Sequence, residues 1–221
     1  MSLRVHSIQT RLARSYLIEG DEGLYLVDTG APGSEEAVLR LMRELGRSDL
    51  RLIYITHAHL DHYGSAAALR RITGAPVAIH RADADAMARG ETRLGEIRGW
   101  GRLIGVVKRL LETRMKPEGV RPDILLDDGD RLDKWGLDAK VIHIPGHTHG
   151  SSCLLVEGRL AFVGDLLSTT GRLHAQRFFA EDWSKIPESL ERLKALGVEW
   201  VYAGHGRRHL SGERLEKIKV Q

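Results

Sequence analysis

Apolar and polar positions along the 221-residue chain follow two periods. Apolar runs bounded by turn-forming residues predict early strands at 4–10, 15–19 and 24–28. The period changes over 35–45, where Val38, Leu41, Met42 and Leu45 recur every three or four positions and so share one helix face. Ser34 stands where that helix needs an N-cap and Gly46 where it needs a stop. The run Leu52-Ile53-Tyr54-Ile55 predicts a buried strand, followed by a helix over 65–72 and a strand over 77–80. Later strands are expected at 124–126, 139–143, 153–156, 160–163 and 199–202, with a helix over 183–196. This alternation predicts an α/β fold with mixed sheets. No Pro/Ser/Gly-rich linker divides the chain, so residues 1–221 are expected to form a single domain.

One segment stands apart. Over 91–116, Ile97, Trp100, Ile104, Val107 and Leu111 form an apolar stripe opposite Arg98, Arg102, Lys108, Arg109 and Arg114. The pattern predicts a basic amphipathic helix, either packed on the sheet or closing over a pocket as a lid. A helix lying on a membrane surface is the third reading. Gly99, Gly101 and Gly105 would let it bend.

The chemistry concentrates directly after the run at 52–55. Thr56-His57-Ala58-His59-Leu60-Asp61-His62 places three imidazoles and a carboxylate on the loop leaving a strand, where open α/β folds put their sites. His57 and His59 can converge on one ion, and Asp61 and His62 lie where they can serve a second. Imidazole nitrogen with carboxylate oxygen suits Zn, Mn, Fe or Co rather than Ca or Mg. Three further apolar runs end in a ligand-type residue flanked by glycine: Pro145-Gly146-His147, Gly164-Asp165 and Gly204-His205.

The ordered set His57, His59, Asp61, His62, His147, Asp165 and His205 resembles the ligand pattern of the metallo-β-lactamase superfamily, over residues 3 to 207. The resemblance implies a four-layer αβ/βα sandwich of two mixed sheets with outer helices. It implies two divalent metal ions, zinc foremost with iron or manganese as alternatives. His57, His59 and His147 would hold one ion, and Asp61, His62 and His205 the other, with Asp165 bridging. Two such ions share a water, lower its pKa from about 16 toward 7, and present the bridging hydroxide to an electrophilic carbonyl or phosphoryl centre. Asp61 is expected to be catalytic as well, orienting that hydroxide or passing its proton to the leaving group.

The expected enzyme is therefore a hydrolase of a small ester, thioester or lactone. A mononuclear iron persulfide dioxygenase and a phosphodiesterase of the same superfamily are the alternatives. Glyoxalase II-type thioesterases share all seven ligands and add a helical glutathione-binding domain, which is expected to be absent given the short stretch after His205, putting glutathione specificity in doubt. Acyl-homoserine lactonases usually place Tyr three residues beyond the bridging Asp, where this chain has Ser168. Tyr63, His149, Ser168 and His174 are the candidate substrate contacts. His80 and His143 read as structural, and His6 and His209 as surface residues.

Composition narrows the rest. A net charge of +3 from 33 basic and 30 acidic residues gives no reason to expect nucleic acid. No charged leader precedes an apolar segment and no apolar stretch is long enough to span a bilayer, so a cytoplasmic protein without stable membrane association is expected. The expected partner is a small-molecule substrate, and a homodimer is admitted. Cys153, the single cysteine, lies in an apolar run and reads as core. The lack of Asn, with only Gln9, Gln176 and Gln221, points to a thermophile.

Overall fold

A computed structural model describes residues 3–99, 101, 114–171, 173–206 and 209–219. The first sheet is built from β1 (Arg4–Gln9), β2 (Arg14–Glu19), β3 (Leu24–Val27), β4 (Leu50–Ile55), β5 (Val77–His80) and β7 (Ile124–Leu126), in that order. Its β1–β2–β3 part is antiparallel, and β3, β4, β5 and β7 run parallel. The second sheet runs β14 (Leu210–Ser211), β13 (Trp200–Gly206), β10 (Leu160–Thr169), β9 (Ser152–Val156), β8 (Ala139–His143). Within it β10 and β13 are parallel, and β11 (His174–Ala175) pairs antiparallel with β10. A small ribbon joins β6 (Glu96–Ile97) to β12 (Phe179–Ala180).

Both faces of each sheet are covered, which is why the strands read as unbroken apolar runs instead of alternating ones. On β4, Ile53 and Ile55 point outward to α1 (Glu35–Glu44), α3 (Ala66–Thr73) and α4 (Arg81–Arg89), while Leu52 and Tyr54 point inward. On β10, Ala161 and Val163 face α5 (Lys185–Lys194) and α6 (Gly212–Glu216), while Leu160 and Phe162 face the opposite sheet. The layers are thus helix, sheet, sheet, helix, the mixed α/β sandwich expected.

Three aromatic rings lock the sheets together. Tyr16 of β2 lies 5.5 Å from Phe162 of β10 and 5.2 Å from Tyr202 of β13, and those two stack at 4.7 Å. The Tyr16 hydroxyl crosses the interface to donate to the Ala203 carbonyl at 2.6 Å. Nearer the end of β4, Ser152 N–H donates to the Thr56 carbonyl at 3.0 Å and Tyr54 Oη meets Ser152 Oγ at 2.7 Å.

Several expectations need correction. Residues 91–98 are not helical: 91–95 are irregular, and Glu96–Ile97 pair with Phe179–Ala180. Of the apolar stripe only Ile97 falls in this stretch, where it pairs with Phe179. The rest of that proposed helix, 102–113 with Trp100, lies outside the described residues. Ser34 occupies the N-cap position, but its hydroxyl accepts from Arg11 N–H at 3.1 Å, so it ties down the β1–β2 turn and makes no cap bond. Helix α4 had no strong apolar period, since Ala84, Ala86 and Met87, two of them small, make its contact with the core. His80 supplies its cap, Nδ1 accepting from Ala82 N–H at 3.3 Å. Cys153 is fully buried.

Because Phe162 is fully buried at the centre of the intersheet layer, Phe162→Ala is expected to lower the unfolding free energy by about 3–5 kcal/mol, read as a drop in the urea midpoint at constant slope.

Candidate metal centre

Three structural pieces converge at one end of the sandwich. The first is the β4 exit, where His57 follows Thr56, His59 takes an extended conformation (φ −105°, ψ 146°), and a one-turn helix α2 (Leu60–Tyr63) carries Asp61 and His62. The second is the loop between β8 and β9, which supplies His147. The third is the β10–β13 pair, which supplies Asp165 and His205. These two ligands lie within strands that run past the ends predicted for them: β10 continues to Thr169 and β13 to Gly206. The β10–β13 register shifts on either side of Gly164. That irregularity turns Asp165 toward the centre.

Glycine is required twice at this approach. Gly164 has φ +51°, and a Cβ there would lie 2.6 Å from Thr56 Oγ1. A Cβ on Gly204 would lie 2.5 Å from the His62 ring and 2.6 Å from Asp165 Oδ1.

The donor atoms form three overlapping groups, each with its atoms within 4.8 Å of one another: His57, His59 and His147; His57, His62 and Asp165; Asp61, His62 and His205. Asp165 is central. Its Oδ1 lies 3.2 Å from His62 Nε2, and its Oδ2 lies 3.1 Å from His205 Nε2 and 3.5 Å from His147 Nε2. His205 Nε2 is also 3.4 Å from Asp61 Oδ2. Six of the seven residues are at most 7% exposed, whereas the His205 side chain is 25% exposed.

The far nitrogen of each buried imidazole is already committed. His59 Nε2 donates to the Arg93 carbonyl at 2.8 Å, and His147 Nδ1 to the Phe179 carbonyl at 2.9 Å. His62 Nδ1 donates to Asp28 Oδ2 at 2.8 Å, and His57 Nδ1 to Thr56 Oγ1 at 3.0 Å. With the far nitrogens so used, His57 Nε2, His59 Nδ1 and His147 Nε2 face inward as acceptors, while His62 Nε2 faces Asp165. His59 Nδ1 and His147 Nε2 consequently face one another at 3.0 Å. Two lone pairs at that separation need a cation between them, a shared proton or a metal ion. His57 Nε2 is buried with no hydrogen-bond partner among the described residues. A divalent ion satisfies both conditions, so these residues fit a metal.

Proton affinities divide accordingly. Burial, reinforced by His62, His59 and His147, holds His57 well below the usual imidazole range. Burial draws His62 down too, but Asp165 and Asp28 outweigh it and hold that ring well above its usual range. His205 goes the same way, up to about 9: burial opposes the charge, and Asp165 and Asp61 prevail. Burial raises Asp165, yet His205 and His62 overcome this and keep its carboxylate well below the usual range.

Two carboxylates that the ligand pattern did not signal organise the cluster. Asp28 takes the left-handed conformation (φ 58°) after β3, which aims its carboxylate at His62 Nδ1, Thr56 N–H and Thr56 Oγ1. Its only mark in the sequence is an acid ending a buried strand, Leu26-Val27-Asp28. Asp83, buried on α4, accepts from Ala58 N–H at 2.8 Å, Thr148 Oγ1 at 2.8 Å and Gly150 N–H at 2.7 Å. It therefore clamps the His57/His59 loop to the His147 loop. Gln176 adds a third tie, donating from Nε2 to the Asp165 carbonyl at 3.1 Å.

The candidate substrate contacts lie in different surroundings. Tyr63 is fully buried, and its hydroxyl donates to the Glu91 carbonyl at 3.0 Å. His149 has a side chain 61% exposed and 3.9 Å from Glu181. Ser168 pairs in register with His174 on one side and His205 on the other, which brings these three to one strip of the second sheet. His143 stacks on His80 at 4.1 Å and donates from Nε2 to the His149 carbonyl.

The model of the metallo-beta-lactamase superfamily matches residues 10–205, and the chain belongs to that superfamily. It is 31% identical over 193 residues to a hydroxyacylglutathione hydrolase of Aeromonas hydrophila, covering 86% of this chain and 59% of that protein. It is 30% identical over 169 residues to the human acyl-coenzyme A thioesterase MBLAC2, covering 70% of this chain and 58% of the thioesterase. The chain thus spans little more than half the length of these two relatives. Among solved structures, TTHA1623 in a di-iron-bound form superposes with TM-score 0.73 at 26% identity, covering 97% of each chain. A metallo-beta-lactamase mutant from Cronobacter sakazakii gives 0.69 at 26% identity, covering 93% of this chain and 81% of that one. No helix among the described residues is long and apolar enough to cross a membrane.

Since His205 in the metal-free protein holds its proton up to about pH 9, a metal loaded at pH 7 has to displace it. Zn²⁺ titration of metal-free protein in buffers of different ionisation enthalpy should therefore register proton release, and the affinity should weaken steadily from pH 8 to pH 5. Asp83→Ala should weaken metal affinity by about 10–100-fold in chelator competition without unfolding the chain.

Proposed function

We propose that this protein is a binuclear metal-dependent hydrolase of small thioesters. The observation that carries the reading is the convergence of seven imidazole and carboxylate side chains, with Asp165 directed at His147 on one side and at His62 and His205 on the other. His57, His59 and His147 would hold one ion, and Asp61, His62 and His205 the other, with Asp165 between them. Divalent ions so held would supply Lewis acidity, lowering the pKa of a water from about 16 toward 7 and polarising the carbonyl oxygen. The di-iron form of a relative that aligns over 97% of each chain supports two ions, and makes iron as reasonable an occupant as zinc. Names of the curated relatives favour a thioester over a lactone.

The chain's own residues do the remaining work. Asp28 and Asp83 hold the ligand loops in place from outside the cluster. Asp61, lying against His205, orients the attacking water and takes its proton. Burial of six of the seven ligands keeps bulk water from competing at the centre. Hydrolysis breaks the thioester C–S bond and forms a C–O bond to the water oxygen; the proton held at Asp61 then leaves on the thiol.

Metal-quantified protein should carry two ions per chain and hydrolyse S-lactoylglutathione in preference to a long-chain acyl-homoserine lactone. Lactone turnover alone would overturn the thioester reading. One iron per chain with oxygen consumed on a persulfide would replace it with a dioxygenase. Asp165→Ala should lose metal and activity together while keeping its circular dichroism; full activity in that variant would refute the bridging role.

A further inference from the structure

The exposed edge of the metal cluster opens onto a particular kind of surface. His205 lines a cavity of about 550 Å³ between the β1–β2 turn and the C-terminal elements, with Arg14, Thr169, His209 and Arg214 among its walls. A second cavity of about 410 Å³ adjoins it, sharing Leu173 and Arg214 and adding His174, Lys217 and Lys219. No Asp or Glu is among the described residues lining either space. Helix α6 explains the asymmetry, since Glu213 and Glu216 face a different cavity beside Trp200 and leave Arg214 and Lys217 on the trough side.

These cations differ from the many described arginines that are neutralised by an acidic neighbour. Arg43, Arg47, Arg70, Arg71, Arg81 and Arg192, for example, each pair with a carboxylate. Arg14, Arg214, Lys217 and Lys219 have no carboxylate within ion-pair distance among the described residues. Arg14 is instead fixed by neutral partners: Nε donates to the Gly206 carbonyl, next to His205, and Nη1 to Ser7 Oγ at 2.6 Å. Thr169 Oγ1 donates to the His205 carbonyl at 3.2 Å, so the wall at the metal end is pinned from two sides. Positive charges left unneutralised along a trough that begins at a ligand suit a ligand carrying its own negative charge.

We infer that the trough from His205 to Lys217 binds an anionic leaving group, a thiol whose carboxylates or phosphates lie against Arg14, Arg214 and Lys217 while its sulfur reaches the metal cluster. This rests on the thioesterase reading and assigns to it a substrate class: thioesters of charged thiols, with neutral thiols discriminated against. Carboxylate and phosphate carriers share the required chemistry, and glutathione and coenzyme A represent them.

The test uses the full, metal-loaded chain. Thioesters of one acyl group on glutathione, coenzyme A and uncharged N-acetylcysteamine are compared by kcat/KM. The charged-to-uncharged ratio should exceed about tenfold, shrink as salt is raised, and fall about tenfold or more in Arg214→Glu and in Lys217→Glu. Arg40→Glu, an exposed change of equal charge on α1, should leave the ratio unaltered, separating a local contact from net charge. Binding of the inert thioethers S-methylglutathione and S-methyl-coenzyme A, followed by calorimetry, reads the trough whether or not any thioester turns over. Binding weakened in Arg214→Glu supports the inference even if hydrolysis fails, in which case only the thioesterase reading falls. Preference for the first thioether would assign carboxylates, and for the second, phosphates. A ratio near one, or no thioether binding by the wild type, overturns the inference.

Discussion

The site depends on how the two sheets are held against one another. His57, His59, Asp61 and His62 leave the first sheet together, while His147, Asp165 and His205 come from the second, so neither sheet alone has a complete set of ligands. A small slide of one sheet over the other would separate His59 from His147, which stand 3.0 Å apart. The Tyr16–Phe162–Tyr202 cluster resists that slide in the core, and the Ser152 N–H bond to the Thr56 carbonyl resists it one residue from His57. Intersheet packing is therefore a functional constraint as well as a source of stability.

Within that frame the ligands are aimed by groups that never face the cluster centre. Asp28 fixes one imidazole and, through Thr56, a second. Asp83 joins the two histidine loops by three bonds from a single buried carboxylate. Main-chain carbonyls of Arg93 and Phe179 set the other two rings. Phe179 belongs to the ribbon with β6, so the extended stretch that replaces the start of the expected helix also helps hold His147.

That pattern explains what the sequence disclosed. The cluster of candidate ligands was legible because metal-binding side chains are rare at such density and stand next to apolar runs with glycine. The layered fold was legible because strands buried on both faces lack polar alternation. Asp28 and Asp83 were not, because an isolated acid at a strand end or in a helix looks the same whether it faces solvent or three buried donors. Residues 91–98 misled because apolar spacing cannot report a two-residue pairing with a segment more than eighty positions away. Ser34 had the right identity and position for a cap, yet a tertiary donor, Arg11 N–H, took its hydroxyl.

The cluster also shows why metal and fold belong to one equilibrium. Asp165 is buried with its carboxylate ionised, and that charge has to be balanced within the cluster. Among the described residues no Lys or Arg pairs with it; protons on His62 and His205 are what balance it there in the metal-free protein. His57 cannot share the task, because burial and three neighbouring rings hold it neutral. Protonated His62 and His205 are the very side chains that a bound metal ion would need as neutral donors. Protons and metal therefore compete for the same carboxylate, and the metal neutralises it while also satisfying the facing lone pairs of His57, His59 and His147. The arrangement that makes these residues poor partners for one another is what makes them complementary to divalent cations.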